Sequence, residues 1–283
     1  MGRGMALSLM RAGHDVLGFD ASAEILAARA GEGIRIAASV GAIAASVDLI
    51  ILSLPNGEAV SAVIAGPGGV IEAGRPGLLV IDTTTSDPGT TRRLSALISE
   101  AGMAMLDAPV SGGPKGAVTG TMVMEIGGEA ADLARAEPIL ATISRKRVHV
   151  GPSGAGHVTK LVNNLLCAAH LLTAGEALAM IRAAGLDPER VLEGVNAGSG
   201  RSGVSETNLP TWILSGAFDS GFTMGLMRKD IRLAAGLIAS LGLELPLAAA
   251  TARLWAGSGE FIPDGEDFNR IAILASTANR IGA

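Results

Sequence analysis

The chain has 283 residues, 48% of them hydrophobic and 17% charged, with a formal net charge of -5, enough length for two domains with cores of their own. The acidic balance and the lack of a basic run argue against nucleic acid as a partner. No run reaches roughly 18 clean apolar residues, and no charged-then-apolar leader opens the sequence, so a soluble, cytoplasmic protein with no membrane segment is expected.

In chain order, the first half alternates short apolar runs with amphipathic stretches, the α/β pattern of a parallel sheet covered by helices. Strands are expected near His14 to Asp20, Val47 to Leu54, Leu78 to Asp82, Met103 to Asp107, Met122 to Ile126 and Val148 to Val150. Helices are expected between them near Ala23 to Ala30, Ala42 to Ser46, Gly57 to Ala65, Pro88 to Ala101 and Glu129 to Thr142. From about Gly154 the period is helical, with breaks at Gly185 to Pro188, Gly198 to Gly203, Ser215 to Gly221, Gly242 to Pro246 and Gly257 to Gly265. This predicts a doubly wound sheet domain over residues 1–152 and an all-helical domain over 153–283, joined through one long helix. The Ala- and Leu-rich helical half has surplus apolar surface, which is assigned to burial between subunits in a homodimer or homotetramer.

Absences narrow the chemistry. The chain has no tyrosine, which removes a phenol as proton donor, and its one cysteine, Cys167, lies in an apolar helical pattern that suits a small core residue. None of His14, His149, His157 and His170 falls in a metal-ligand spacing, so no metal is expected. Lysine remains as the acid/base candidate. In Gly154-Ala-Gly156-His-Val-Thr-Lys160-Leu-Val-Asn163-Asn164, positions i and i+4 put Lys160 and Asn164 on one helix face. They read as a proton donor and its positioner, the alternative being a lysine that snorkels to water. Gly154 and Gly156 permit close backbone approach, and Asp107-Ala-Pro-Val-Ser111-Gly112-Gly113 upstream has the composition of an anion cradle, or of a plain turn.

Together these strings resemble the β-hydroxyacid dehydrogenase family, of the 3-hydroxyisobutyrate dehydrogenase type, over essentially the whole chain. The resemblance implies a Rossmann-type NAD-binding domain and a helical domain like that of 6-phosphogluconate dehydrogenase. It assigns Lys160 to proton transfer, Asn164 to holding the reacting hydroxyl or the lysine, and Ser111, Gly112 and Gly113 to the substrate carboxylate. Gly221-Phe222-Thr-Met-Gly-Leu226-Met-Arg-Lys229-Asp230 is similar to the family's GFxxxLxxKD, in which Lys229 would close over the cofactor; solvated helix charges are the other reading of that pair.

The dinucleotide fingerprint GxGxxG is matched only at its last glycine, by Gly2. Its strand is normally central in the sheet, and losing it would leave buried backbone groups unpaired at about 1–3 kcal/mol each. A start codon placed too late or a trimmed chain is expected, with rearranged strand pairing as the alternative. Asp20 stands where an acid accepts the ribose hydroxyls of NAD, and Ala21-Ser22-Ala23 offers no arginine for a 2′-phosphate, so NAD is expected over NADP; a helix cap is its other role. Leu54 and Pro55 resemble the family's cofactor-lining loop. Thr85 matches the cofactor-facing threonine of its DxSTxxP segment, here with Thr84 in place of serine.

The expected activity is reversible NAD-dependent oxidation of a small 3-hydroxy acid to its semialdehyde. Reduction of tartronate semialdehyde or glyoxylate, or oxidation of a sugar acid such as threonate, are the enzyme alternatives. Arg201 is placed to reach a polar substrate tail, or is solvated as loop arginines usually are. The alternative of another class is a non-catalytic assembly or binding protein without cofactor affinity.

Overall fold

The computed structural model describes residues 1–276, so residues 277–283 of the expected helical half lie outside the described residues. The chain divides into two compact units, one running from Met1 to Lys160 and the other from Leu161 onward.

The first unit runs α1 (Gly2–Arg11), β1 (Leu17–Gly18), α2 (Ala23–Ala30), β2 (Arg35–Ile36), α3 (Val40–Ala44), β3 (Leu49–Leu52), α4 (Gly57–Ala65), α5 (Val70–Ala73), β4 (Leu79–Asp82) and α6 (Pro88–Glu100). It continues with β5 (Ala104–Asp107), β6 (Val110–Ser111), α7 (Gly113–Thr119), β7 (Met122–Gly127), α8 (Ala130–Ile143), β8 (Ser144–Gly151) and the start of α9 (Ala155–Ala183). Ser22, Ser39, Asn56 and Asp87 open α2, α3, α4 and α6, each side chain accepting a backbone N–H three residues on, which satisfies donors a helix start leaves unpaired.

β3, β4 and β5 are parallel neighbours, with Leu49 opposite Leu79 and Leu79 opposite Ala104. Side chains alternate across this sheet. Leu79 and Ile81 join one core with Met122, Met124 and Ile126, while Leu78 and Val80 join another with Val60, Ile64 and Leu94. An apolar run with no polar alternation therefore marks a strand covered on both faces.

Beyond β5 the sheet is mixed. β7 runs antiparallel to β5 and β6, and parallel to β8. β1 pairs with β2 in a two-stranded sheet of its own, and the strand expected over His14 to Asp20 contracts to Leu17–Gly18. β8 begins at Ser144, ahead of the expected Val148. Its opening Ser144-Arg-Lys-Arg147 is too polar to signal a strand, and the ladder to β7 fixes it.

The second unit is helical: the rest of α9, α10 (Pro188–Ala197), a π-helix (Val204–Leu214), α11 (Met224–Ser240), α12 (Pro246–Gly257) and α13 (Ile271–Ser276), with short 3-10 turns at Ser258–Glu260 and Phe268–Arg270. The π-helix contains Pro210, which has no N–H to donate and crowds the preceding turn. The core gathers Ala168, Leu171, Leu172, Met227, Ile231, Trp255 and Phe268, with Cys167 packed partly buried against it. By length and hydropathy α9 is long and apolar enough to cross a bilayer, more than the sequence reading allowed. Its apolar stripe through Ala168, Leu171 and Leu172 is spent on this core.

Candidate active site

The start of α9 is fastened by strand ends distant in sequence. Asp107, at the end of β5, accepts the Gly154 N–H at Oδ1 (2.8 Å) and the His157 N–H at Oδ2 (2.9 Å), placing an anion where a helix start presents free donors and positive potential. The buried His157 ring donates from Nε2 to the Thr84 carbonyl (2.5 Å), and its Nδ1 meets the Thr91 hydroxyl at 2.7 Å. Gly156 admits no side chain, since a Cβ would lie 2.5 Å from the Glu125 carbonyl and 2.6 Å from that of Asp107. One turn further on, the buried Lys160 Nζ donates to Ser111 Oγ at 2.8 Å. Ser111 ends β6, and Gly112 after it takes φ 118°, a conformation that favours glycine, so that Gly113-Pro114 can start α7. The unit thus brings Lys160 together with the Ser111-Gly112-Gly113 segment.

Asn164 follows Lys160 by one turn on the continuous α9 and belongs to the helical unit. Its Nδ2 donates to Asp230 Oδ2 at 2.7 Å, and its Oδ1 accepts from Asn163 Nδ2 at 3.0 Å. Lys229 Nζ lies 3.2 Å from Asp230 Oδ1. Asp230 is 1% exposed, which removes the reading of both members of that pair as solvated charges: the carboxylate is the buried partner of Asn164. The sequence carried the motif but no signal that residue 230 meets residue 164.

Asp20, Leu54, Pro55 and Thr85 lie just beyond the carboxyl ends of β1, β3 and β4, and Gly2 opens α1, where a Cβ would sit 3.4 Å from Ser53 Cβ. Asp20 Oδ1 accepts the Ser22 N–H at 2.9 Å, while Ser22 itself caps α2. The Leu54 N–H donates to Thr84 Oγ1 (3.1 Å), and Thr83 Oγ1 donates to the Leu52 carbonyl (2.6 Å), tying the two loops together. An acidic acceptor after β1, with backbone amides and hydroxyls after β3 and β4, is a donor set that fits a dinucleotide, which such sheets bind beyond the carboxyl ends of their strands. Asp82 accepts the Thr84 N–H at Oδ1. Burial raises its carboxyl above the ordinary 3.8, partly offset by His157 and by the Thr84 hydrogen bonds.

Sequence reasoning also passed over Asp107 as the anchor of α9, His157 as its link to the Thr84 loop, and Glu125 on β7. Their partners lie 73 residues away for His157 with Thr84 and 47 for Asp107 with Gly154, and no local pattern reports such contacts. Among the described residues no group of three or more His, Cys, Asp or Glu side chains could hold a metal ion.

Residues 1–151 match the family model described as the NAD binding domain of 6-phosphogluconate dehydrogenase. Residues 154–274 match the one described as NAD-binding of NADP-dependent 3-hydroxyisobutyrate dehydrogenase. The chain is 35% identical to a 2-(hydroxymethyl)glutarate dehydrogenase of Eubacterium barkeri, over 96% of this chain and 90% of that protein. It is 33% identical to an L-threonate dehydrogenase of Cupriavidus necator, over 94% and 90% of the two chains. Among solved structures it is similar to 3-hydroxyisobutyrate dehydrogenase of Mycobacterium tuberculosis with L-serine: 33% identity, TM-score 0.90, and 96% and 94% of the two chains covered.

Proposed function

The chain belongs to the β-hydroxyacid dehydrogenase family, nicotinamide-dinucleotide-dependent enzymes acting on hydroxy acids, and from that premise we propose that it interconverts a small 3-hydroxy acid of the 3-hydroxyisobutyrate type and its semialdehyde, using NAD. The observation that carries this reading is the 2.8 Å hydrogen bond from Lys160 Nζ to Ser111 Oγ. It joins a buried lysine to a hydroxyl followed by a glycine pair, which supports proton transfer at one end of a short 3-hydroxy acid and carboxylate binding at the other.

In this mechanism Ser111, with the backbone N–H groups of Gly112 and Gly113, holds the substrate carboxylate. In reduction the Lys160 ammonium gives its proton to the carbonyl oxygen; in oxidation the neutral amine takes the hydroxyl proton. Asn164, held by Asp230, positions the reacting oxygen or the lysine. When the cofactor is bound, Asp20 would accept its ribose hydroxyls and Gly2, Leu54, Pro55, Thr85 and Lys229 would help to hold it. The nicotinamide supplies the hydride chemistry. The absence of an arginine in Ala21-Ser22-Ala23 supports NAD over NADP.

The chain acts in the cytoplasm as a homodimer or homotetramer. The test is an NAD-linked screen of 3-hydroxyisobutyrate, 2-(hydroxymethyl)glutarate, L-threonate and glycerate. Saturable NADH production with 3-hydroxyisobutyrate is expected. A clear preference for threonate selects the sugar-acid reading. Turnover of none, with no NADH binding, overturns both in favour of a non-catalytic protein.

A further inference from the structure

The side chain of Glu125 has no part in the mechanism above, yet the register of β7 against α9 sets it beside Lys160. Met122, Met124 and Ile126 turn into the core of the sheet unit. By the two-residue period of a strand, Val123, Glu125 and Gly127 turn to the other face. That face carries the start of α9: a Cβ at Gly127 would lie 2.8 Å from both Pro152 O and Gly156 N, and one at Gly156 would lie 2.5 Å from Glu125 O. Gly156 therefore sits over β7 between Gly127 and Glu125, and the bond from Lys160 to Ser111, opposite Val123, sets the direction in which α9 runs on toward residue 123.

Two strand residues span about 6.8 Å and four helical residues about 6 Å, so Lys160 falls level with Val123 and Glu125. Ser111, which accepts the Lys160 hydrogen bond, stands opposite Val123 in the ladder at that same level. Glu125 Oε2 is buried with no hydrogen-bond partner among the described residues.

We propose that Glu125 is the counter-charge of Lys160, a positioning residue whose carboxylate keeps the lysine charged beside Ser111 until the substrate oxygen takes the proton. This rests on the reading of Lys160 as the proton-transfer group. Burial raises the Glu125 carboxyl from its ordinary value, and the Lys160 charge draws it back, as expected of a carboxylate whose main compensation is that cation.

The other ionisable groups on the elements around the pair are engaged or outward. Asp107 holds the Gly154 and His157 amides, and His157 holds Thr84 and Thr91. Arg147 pairs with Glu137, and His149 bonds the Gly128 carbonyl. Lys115 on α7 and Lys146 on β8 are exposed, and the Arg92 side chain lies against Gly154.

The chain has four lysines, Lys115, Lys146, Lys160 and Lys229, so 13C reductive methylation of the folded full-length protein gives four resolvable side-chain titrations by NMR, assigned with Lys→Arg variants. Glu125→Gln should lower the Lys160 midpoint by about one pH unit, the lower end of what a nearby opposite charge does, and leave the other three in place. Glu125→Asp, which keeps the charge, should restore most of the difference. In turnover, the pH at which kcat for oxidation rises should move down in the Gln variant by the same amount, because the neutral amine forms earlier. A Lys160 midpoint unchanged in folded Glu125→Gln, or four midpoints moving together, overturns the proposal. The NMR titration needs no substrate: an unmoved Lys160 in an active dehydrogenase rejects the role of Glu125 alone, whereas failure of the substrate screen rejects the enzymatic reading.

Discussion

Lys160 combines burial with a hydrogen bond to Ser111, so its removal deletes the proposed proton-transfer group and leaves the loops beyond β1, β3 and β4 intact. Lys160→Ala should lower kcat by about 10²–10⁴-fold, the usual range for general acid–base catalysis, with NADH affinity in fluorescence titration little changed. Folded Lys160→Ala turning over at the parental rate would eliminate the mechanism. Asn164→Ala should cost less in kcat, since positioning is lost while the donor stays. It should also lower stability by about 1–3 kcal/mol, because a buried Asp230 oxygen loses a hydrogen bond from Asn164; urea unfolding reads this directly. For the cofactor, Asp20→Ala should narrow the preference for NAD over NADP by removing repulsion of a 2′-phosphate. Better activity with NADP in the parent would contradict that assignment. Lys160 and Asn164 were legible because their relation is local, one turn of one helix. Asp230, His157 and Glu125 were not, because each meets its partner through the fold.

Strand β4 shows what the sequence could and could not specify about an element. Its apolar run Leu79-Val-Ile81 marks a strand of a sheet covered by helices, and the Asp82-to-Pro88 string marks a loop and helix start behind it. Short α5, β2 and β6 gave no periodic signal, and α7 hides behind Gly-Gly-Pro, which reads as a turn until the φ values of Gly112 and Gly113 are known. The burial of Asp82 at the end of β4 has a pH consequence. Its folded carboxyl titrates above 3.8, so between the two values the native state binds more protons than the unfolded one, and stability falls as pH rises through that window. Asp82→Asn has no such group to ionise. The stability of the Asn variant relative to the parent should therefore increase as pH rises from about 3.8 toward neutrality, in urea unfolding followed across that range. A difference independent of pH would refute the burial penalty assigned to Asp82.

At the scale of the whole molecule, the helical unit leaves several large apolar side chains outside its own core. Leu241, Leu243, Leu245 and Leu247 are 61%, 50%, 44% and 83% exposed within seven residues of chain, and Val162 and Leu166 on α9 are half exposed. Beside them lies a groove of about 510 Å³ lined by Leu165, Ile231, Ala235, Ile238, Leu243 and Ala249, with Glu244 its one charged lining residue among the described residues. Scattered exposed leucines are ordinary, but exposed leucines grouped near an apolar groove are the features a subunit interface uses. A second copy of this chain suits it, because a surface holding both protruding leucines and a groove can receive itself about a two-fold axis. Burying a leucine contributes up to about 1.5–3 kcal/mol, which such contacts would set against the entropic cost of association. Light scattering at micromolar concentration should give a dimer or tetramer. Leu243→Asp with Leu247→Asp should shift the population toward monomer while circular dichroism shows the helices intact, since Leu247 is almost fully exposed and its replacement removes nothing from the core. A parent protein that scatters as a monomer would end the argument, and an oligomer unmoved by both aspartates would place its interface elsewhere.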